Sequence, residues 1–535
     1  MIYNRFFKQI YTVTLGISFA IFPLLTSCES DVVDLEPVDK FSDLTAYTTP
    51  ERCELSMIGA YDAAQCGIYN GSYSRGYPFG AASIMQGEMR GDDMINTASF
   101  YLITYASTYS VSTANNMYMW EASFEAINRY NTVLAGETKA VTDGVLTESV
   151  GNQYKGECLF LRALTYHNLM IHFANPVNVT GNNNYGMPLY LTAINTPAEI
   201  EEALKIGRSS VEETYAQILK DLDEAESLLP EAIAANPITR ASKGAAIALK
   251  TRVYLHKRDW VNVMKEAAKL APVAPYASPI GDYALEASPV TPFTSYSSNS
   301  ESIFSIENNA DDNGSVNGAM AAMFSARDGG RALVTASPTV YNSTYWKADD
   351  KRRALMLYRA SDDFYFCDKY QNTTTREEYA PIIRYAEVLL NYSEAALRSG
   401  NKELSLELLN AVRDRSLADP ATQSYKAADF ATTLDMLKAI LWERRIEFQG
   451  EGQRWADIHR LAADDLVPSG GIPAKVDYSK NKKKGIFQVG APVLDAWYSA
   501  SAKFIPYTDK RFLWPIPLND LLRNPTLAKQ QNAGW

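Results

Sequence analysis

The residues best equipped for chemistry sit in one stretch, LWERRIEFQGEGQRWADIHRL at 441–461. Written on a helix, Leu434, Leu441, Phe448 and Trp455 make a seam at seven-residue spacing, and Leu437, Arg444, Glu451 and Ile458 make the row beside it. Charged side chains thus fall where apolar ones are expected, and charges taken out of water must be paired. Arg444, Glu447, Glu451 and Arg454 read as a structural ion network joining this helix to its neighbours. The competing chemistry is glycoside hydrolysis, which needs two carboxylates flanking the scissile bond. Glu447 and Glu451 are the pair that could serve, but no nucleophile or metal-ligand partner accompanies them. The expectation is a protein that catalyses nothing.

Metal chemistry finds little support. The four histidines are His167, His172, His256 and His459. His167 and His172 are five apart, not the four that puts two ligands on one helix face, and there is no HExxH or Cys/His cluster. NADDNGSVN at 309–317 starts like a calcium loop, with Asn309, Asp311, Asn313 and Gly314. The bidentate Glu expected at its twelfth position is Met320, so a polar turn is expected, with a structural calcium as the alternative. No Walker loop, GxGxxG or GxSxG occurs, and no cofactor is implied.

A third chemistry is sugar recognition, which uses aromatic faces against C–H groups and forked hydrogen bonds from Arg, Asp and Asn. MQGEMRGDDMINTASFYLITYASTY at 85–109 combines Arg90, Asp92 and Asp93 with Tyr101 and Tyr109. TPFTSYSSN at 291–299 adds Tyr296, and YNSTYWKADDKRR at 341–353 adds Tyr345 and Trp346. These eight residues are the candidate ligand contacts. The same aromatics would also serve to pack loops onto helices.

Composition narrows the classes. Hydrophobic residues make up 46% and charged residues 21% of 535 residues, as in a soluble globular protein with a large core. Tyrosine is abundant, 33 against 20 Phe and 8 Trp, which suits recognition surfaces as well as cores. The formal charge of -11 becomes -13 when the segment carrying Arg5 and Lys8 is removed. That argues against nucleic acid as a partner. KNKKKG at 481–486 is a short basic run that reads as a solvated loop.

The first 27 residues have a basic start, an apolar run from Ile10 to Leu25 and small residues before Cys28, as in a secretory leader. Leu25-Thr26-Ser27-Cys28 resembles a bacterial lipobox, in which the cysteine is acylated and becomes the mature N-terminus. Residues 1–27 are therefore expected to be a lipoprotein signal peptide and 28–45 an acidic tether. Cys53, Cys66, Cys158 and Cys367 do not make a disulfide framework; Cys53 and Cys66 could bridge, but buried free thiols are expected. No other stretch is long and apolar enough to span a membrane.

The elements that must position these residues are helices. Val211, Tyr215, Ile218, Leu222, Ala225 and Leu229 alternate steps of four and three until Pro230, and Trp120, Phe124, Ile127 and Leu134 keep the same spacing. Further helices are expected at 50–65, 150–173, 241–256, 259–270, 384–399, 402–416 and 432–462. Several come as pairs with short turns and Ala-rich contacts, suggesting tetratricopeptide-like hairpins without a strict repeat. The fold class is mainly α, a helical scaffold at 46–66, 116–174, 205–271 and 381–463. A loop-rich subdomain at 67–115, 272–380 and 464–535 is mounted on it, within one domain spanning 46–535.

Several segments together resemble the SusD/RagB family of outer-membrane nutrient-binding lipoproteins of Bacteroidetes. They are LLTSCES, WEASFEAINRYNTVL, YKGECLFLRALTYHNLMIHFANPVNV, ASKGAAIALKTRVYLHKRDW, IRYAEVLLNYSEAALRSGN, WERRIEFQGEGQRWADIHRL and the closing FLWPIPLNDLLRNPTLAKQQNAGW. The resemblance implies a right-handed scaffold of four tetratricopeptide-like units with an irregular ligand-binding subdomain. It implies a lipid-anchored protein on the cell-surface face of the outer membrane. It implies binding of an oligosaccharide, or in some branches a peptide, and a SusC-like TonB-dependent transporter as partner. It carries over no ligand residue, because the matching motifs are scaffold.

Overall fold

The computed structural model describes residues 45–535, apart from 67, 70, 71, 74, 75, 180, 182, 183 and 234. Cys28, the leader and nearly all of the tether lie outside the described residues.

Eleven helices of eight residues or more carry the fold among these residues. They are α1 (Pro50–Cys66), α2 (Ala81–Arg90), α3 (Ala114–Thr142), α4 (Glu148–Phe173), α5 (Val211–Leu228) and α6 (Lys243–His256). The rest are α7 (Trp260–Leu270), α8 (Tyr385–Arg398), α9 (Lys402–Asp414), α10 (Thr433–Glu447) and α11 (Gln453–Arg460). Four packed pairs make the scaffold: α1 with α3, α4 with α5, α6 with α7, and α8 with α9. Each pair also leans on the next, through α3–α4, α5–α6 and α7–α8, and α10 closes the row against α8 and α9. This is a tetratricopeptide-like stack, as the fold class expected.

Local chemistry sets the helix starts. Ser210 and Thr432 each make a capping box with the acid three residues on, Glu213 and Asp435. Thr147, Ser242, Asp259 and Asn401 cap α4, α6, α7 and α9 in the simpler way. Gly400, at φ +90°, makes the tight turn between α8 and α9.

Two expectations fail here. The helix drawn over 432–462 is two helices, because Gly450 and Gly452 adopt left-handed φ of 82° and 77° and stop α10. The break has a packing reason: α2 crosses at that point, and a Cβ on Gly87 would lie 2.3 Å from the Gly452 carbonyl oxygen. The seven-residue seam therefore does not run through 448–455. The second failure is α2 itself, a fully buried helix inside a segment expected to be loop.

Ten short strands, β1 to β10 in chain order among the described residues, form small two-stranded pairings rather than a layer. The one that shapes a site is β4 (Ser302–Ile306) against β8 (Ala380–Arg384), antiparallel, ending with Ile306 opposite Ala380. Among the described residues, no helix is long and apolar enough to cross a membrane.

Candidate functional site

The ionic residues of the 441–461 stretch are buried and paired. Glu447 accepts from Arg352, Arg384 and Arg415 at 2.9, 3.0 and 2.7 Å. Glu451 accepts from Lys369 at 2.6 Å and Arg384 at 2.7 Å. Arg444 lies between Asp457 and Asn391, and Arg454 donates to Asp92 at 2.7 Å. Burial alone would raise the Glu447 carboxyl, but Arg415, Arg384 and Arg352 outweigh it and hold the group well below the usual carboxylate range. A carboxylate held this way is a poor general base and has no proton to give as a general acid.

Six of the eight candidate ligand contacts turn out to be internal. Arg90 is 1% exposed, its guanidinium 3.5 Å above the Trp455 ring and in hydrogen-bond contact with His172. Asp93 receives Arg445, and Asp92 bridges Arg445 and Arg454, so both acids tie the 90–93 turn to α10 and α11. Tyr101, Tyr109 and Trp346 are buried; the Tyr109 hydroxyl donates to the Arg511 carbonyl, and Trp346 packs under Arg353. None of these five buried side chains offers an open face to a ligand, and Asp92 is committed to two arginines. The sugar-binding reading of these six is corrected accordingly: their chemistry is what a loop needs to be stapled to helices.

Tyr345 and Tyr296 keep partial exposure but lie in different places. Tyr345 stacks on Trp442 at 5.5 Å with an interplanar angle of 11°. Tyr296 meets Tyr379 edge-on at 5.1 Å. The calcium-like turn is closed on itself: the Asn309 side chain accepts from the backbone of Asp311 and Asp312, and Asn313 donates to the Asn309 and Ala310 carbonyls. The four cysteines of the described residues are buried free thiols, Cys53 and Cys66 included. All four histidines are buried as well, each held below its ordinary range by desolvation.

Glu307, the neighbour of Tyr379, lines an open groove of about 260 Å³, and neither Tyr379 nor Tyr296 is on that lining. Three parts of the chain meet there. One wall is the outward stripe of α1, with Glu54, Ile58, Tyr61, Asp62 and Gln65, residues spaced to share one helix face. The second wall is the turn before α6, with Asn236, Thr239 and Arg240. The floor and far rim are the end of β4 and the turn after it, with Ile306, Glu307, Asn309 and Asp312. The β4–β8 register puts Glu307 beside Tyr379, one step beyond the Ile306–Ala380 pair. The Tyr379 phenol accordingly is pushed up to about 12, first by burial and then by Glu307 and Tyr296.

The polar groups of this groove fall into two sets. Arg240 is committed, with one nitrogen 2.6 Å from Glu54 and its other arm on Glu157; Tyr61 donates to Glu157 at 2.6 Å and accepts from the Ala241 amide. Gln65 donates to the Glu307 carbonyl at 2.9 Å and to Asn308. Asp62, Glu307 and Asp312 form no ion pair among the described residues; burial and then Asp312 raise Asp62, and the charge of Arg129 partly offsets them. A cavity of about 600 Å³ at Leu406, Phe430 and Met436 is larger and more apolar, although Lys402, Glu403, Glu407 and Asn410 also line it. The groove residues come from three distant segments, and the only one a motif marked was the turn of Asn309 and Asp312, as a calcium-like loop. The one other available signal was the outward stripe on 50–66, where Glu54, Tyr61, Asp62 and Gln65 share a helix face with Ile58.

Two family models match the chain: the SusD family over residues 348–535, and a family described as "Starch-binding associating with outer membrane" over residues 62–255. The chain belongs to the SusD/RagB family. That family is one of binding proteins rather than of enzymes, and it associates with the outer membrane. Among curated relatives, SusD-like protein P38 of Formosa agariphila is 24% identical over 573 residues, covering 96% of each chain. Among solved structures, a SusD superfamily protein from Bacteroides fragilis superposes with a TM-score of 0.71 at 26% identity, over 90% of this chain and 99% of the other. A laminarin-binding SusD-like protein has a TM-score of 0.68 at 20% identity, over 91% of this chain and all of the other. At that identity the likeness shows the fold alone. The SusD-family scaffold thus accounts for the motif-rich helices, and the groove lies where this chain's own loops meet α1.

Proposed function

We propose that this SusD-family protein captures an oligosaccharide in the groove between α1 and the end of β4, and that it catalyses nothing. The observation that carries the reading is the juxtaposition at the β4–β8 end. Tyr379, which meets Tyr296 edge-on, lies beside the groove residue Glu307, Tyr61 is the aromatic on the lining itself, and the groove's uncommitted polar groups can fix hydroxyls. Sugar rings present C–H faces to aromatics and hydroxyl edges to such groups. A laminarin-binding neighbour of the same fold supports a glycan over a peptide. So does the groove lining, which is mostly polar residues and offers no long apolar trough to a peptide. The paired state of Glu447 and Glu451 speaks against the hydrolase reading.

Capture at the cell surface implies delivery. In this reading Cys28 is acylated, residues 1–27 are removed, and the protein hands its ligand to a SusC-like TonB-dependent transporter. Isothermal titration against a glycan panel that includes laminarin tests the capture step. Binding of at least one member, weakened by Tyr379→Ala with the melting temperature unchanged, is the expected result. Binding indifferent to Tyr379→Ala and Tyr296→Ala removes the groove from the account. For the anchor, Cys28→Ala should yield unacylated protein and loss of surface labelling on intact cells; surviving labelling rules the anchor out.

A further inference from the structure

The hydrogen-bonding inventory of the groove is lopsided, and the imbalance bears on which glycans it can take. Its one guanidinium, Arg240, already faces Glu157 and Glu54. The Tyr61 hydroxyl donates to Glu157, and the Gln65 amide has acceptors within reach at Glu307, Asn308 and Asp312. Thr239 donates to one oxygen of Glu307 at 3.1 Å. Almost every donor on the wall is therefore engaged. What remains open to a ligand is mainly acceptors, the carboxylates of Asp62, Glu307 and Asp312, beside the side-chain amides of Asn236 and Asn309.

We infer that the groove selects by charge. It takes saccharides that donate, amino sugars carrying a protonated amine most strongly and neutral sugars next, and it rejects uronate-bearing and sulfated chains. Asp62, Glu307 and Asp312 are the residues that enforce the order. The physical reasons are two and independent. A uronate or sulfate brings acceptors to a wall of acceptors, so none of its charged oxygens finds a partner and its desolvation goes uncompensated. Its charge also meets three carboxylates within a Debye length, which is about 8 Å at physiological ionic strength. An ammonium group reverses both terms. A protonated amine has three donors, and Asp62 and Asp312 both line the groove, so one cation can meet more than one carboxylate. The groove remains partly open to solvent, so each carboxylate contributes modestly, and the three together are expected to give ~10-fold discrimination.

This inference rests on the glycan-binding reading of the same groove, and the test separates the two. The probes are a neutral β-1,4-glucan hexamer, the glucosamine hexamer of the same linkage, the C6-oxidised uronate form of the neutral hexamer, and laminarin with its C6-oxidised form. Each is titrated into wild type and into the triple variant Asp62→Asn, Glu307→Gln, Asp312→Asn, with circular dichroism confirming an unchanged fold. Wild type should bind the amine form ~10-fold tighter than the neutral one, with the advantage shrinking in 1 M salt, and each oxidised form more weakly than its parent. The triple variant should bind amine and neutral forms alike and regain the oxidised ones. Oxidised forms binding as well as their parents, or a charge order unchanged in the triple variant, overturns charge selection while leaving glycan capture standing. No binding by any of the five overturns both.

Discussion

Two clusters of acidic side chains in this molecule contrast sharply. In the core, Glu301, Asp350, Glu443, Glu447 and Glu451 are matched by Arg352, Lys369, Arg384, Arg413 and Arg415. At the groove, Asp62, Glu307 and Asp312 form no ion pair among the described residues, with only the charge of Arg129 acting on Asp62 from a distance. The core cluster joins β4, β8, the 350–352 turn and α10, so its charges are structural and their neutralisation is complete. The groove carboxylates carry no such network; their one side-chain tie is the Thr239 hydroxyl on Glu307. The difference teaches how to find a site in such a scaffold: the residues left unpaired are the ones available to a ligand, however motif-like the paired ones look.

The contrast breaks most visibly at Glu447. Replacing it by alanine strands Arg352, Arg384 and Arg415 in the core, and a loss of about 3–5 kcal/mol is expected. A lowered midpoint in urea would report it, and a midpoint within error of wild type would mean the network is not holding the core together. The triple groove variant should leave that midpoint unchanged.

A third kind of carboxylate sharpens the comparison. Glu137 on α3 is 1% exposed, with no base pairing with it, and burial pushes it up to about 7. Its unfolded value is near 4.5. The folded group thus holds its proton longer, and its contribution is fully present below about pH 4.5 and lost as pH rises through 7. Glu137→Gln should remove that loss, worth about 3 kcal/mol near neutrality. The check is the difference between wild-type and variant melting curves from pH 4.5 to 8; parallel curves would show that Glu137 is ionised in the fold.

Smaller effects belong to the groove and to the helix starts. Tyr379→Ala should weaken glycan binding by about 1–2 kcal/mol, from lost apolar contact, with no change in stability. Tyr345→Ala, on the far stacked pair with Trp442, should leave binding as it was. Thr432→Ala removes the capping box of α10 and should cost about 1 kcal/mol, again readable as a urea midpoint.

How much of this was legible follows the same division. Scaffold helices announce themselves through periodicity, as Val211 to Leu229 does, because one face must be buried and the spacing of that face is set by the helix. The ion network was legible at Arg444, Glu447, Glu451 and Arg454, since charge at core positions demands partners. Its partners Arg384, Arg415 and Glu301 were not, because pairing across 32 or more residues leaves no local trace. The break at Gly450 and Gly452 was half legible: the glycines were visible, but the crossing α2 that requires them was not. Arg90, Tyr101 and Trp346 misled because the residue types that recognise sugars also staple loops to helices. Tyr296 pointed at the groove, while Tyr379, Asp62 and Glu307 became visible only once the β4–β8 register placed them together.

The central claim, that the groove beside Tyr296 and Tyr379 is where ligand binds, is tested most directly by hydrogen exchange with and without a bound glycan. Protection confined to 54–65, 236–240, 304–312 and 377–380 is the predicted footprint. Protection at 341–346 and 438–445, around Tyr345 and Trp442, with none at the groove, would contradict it.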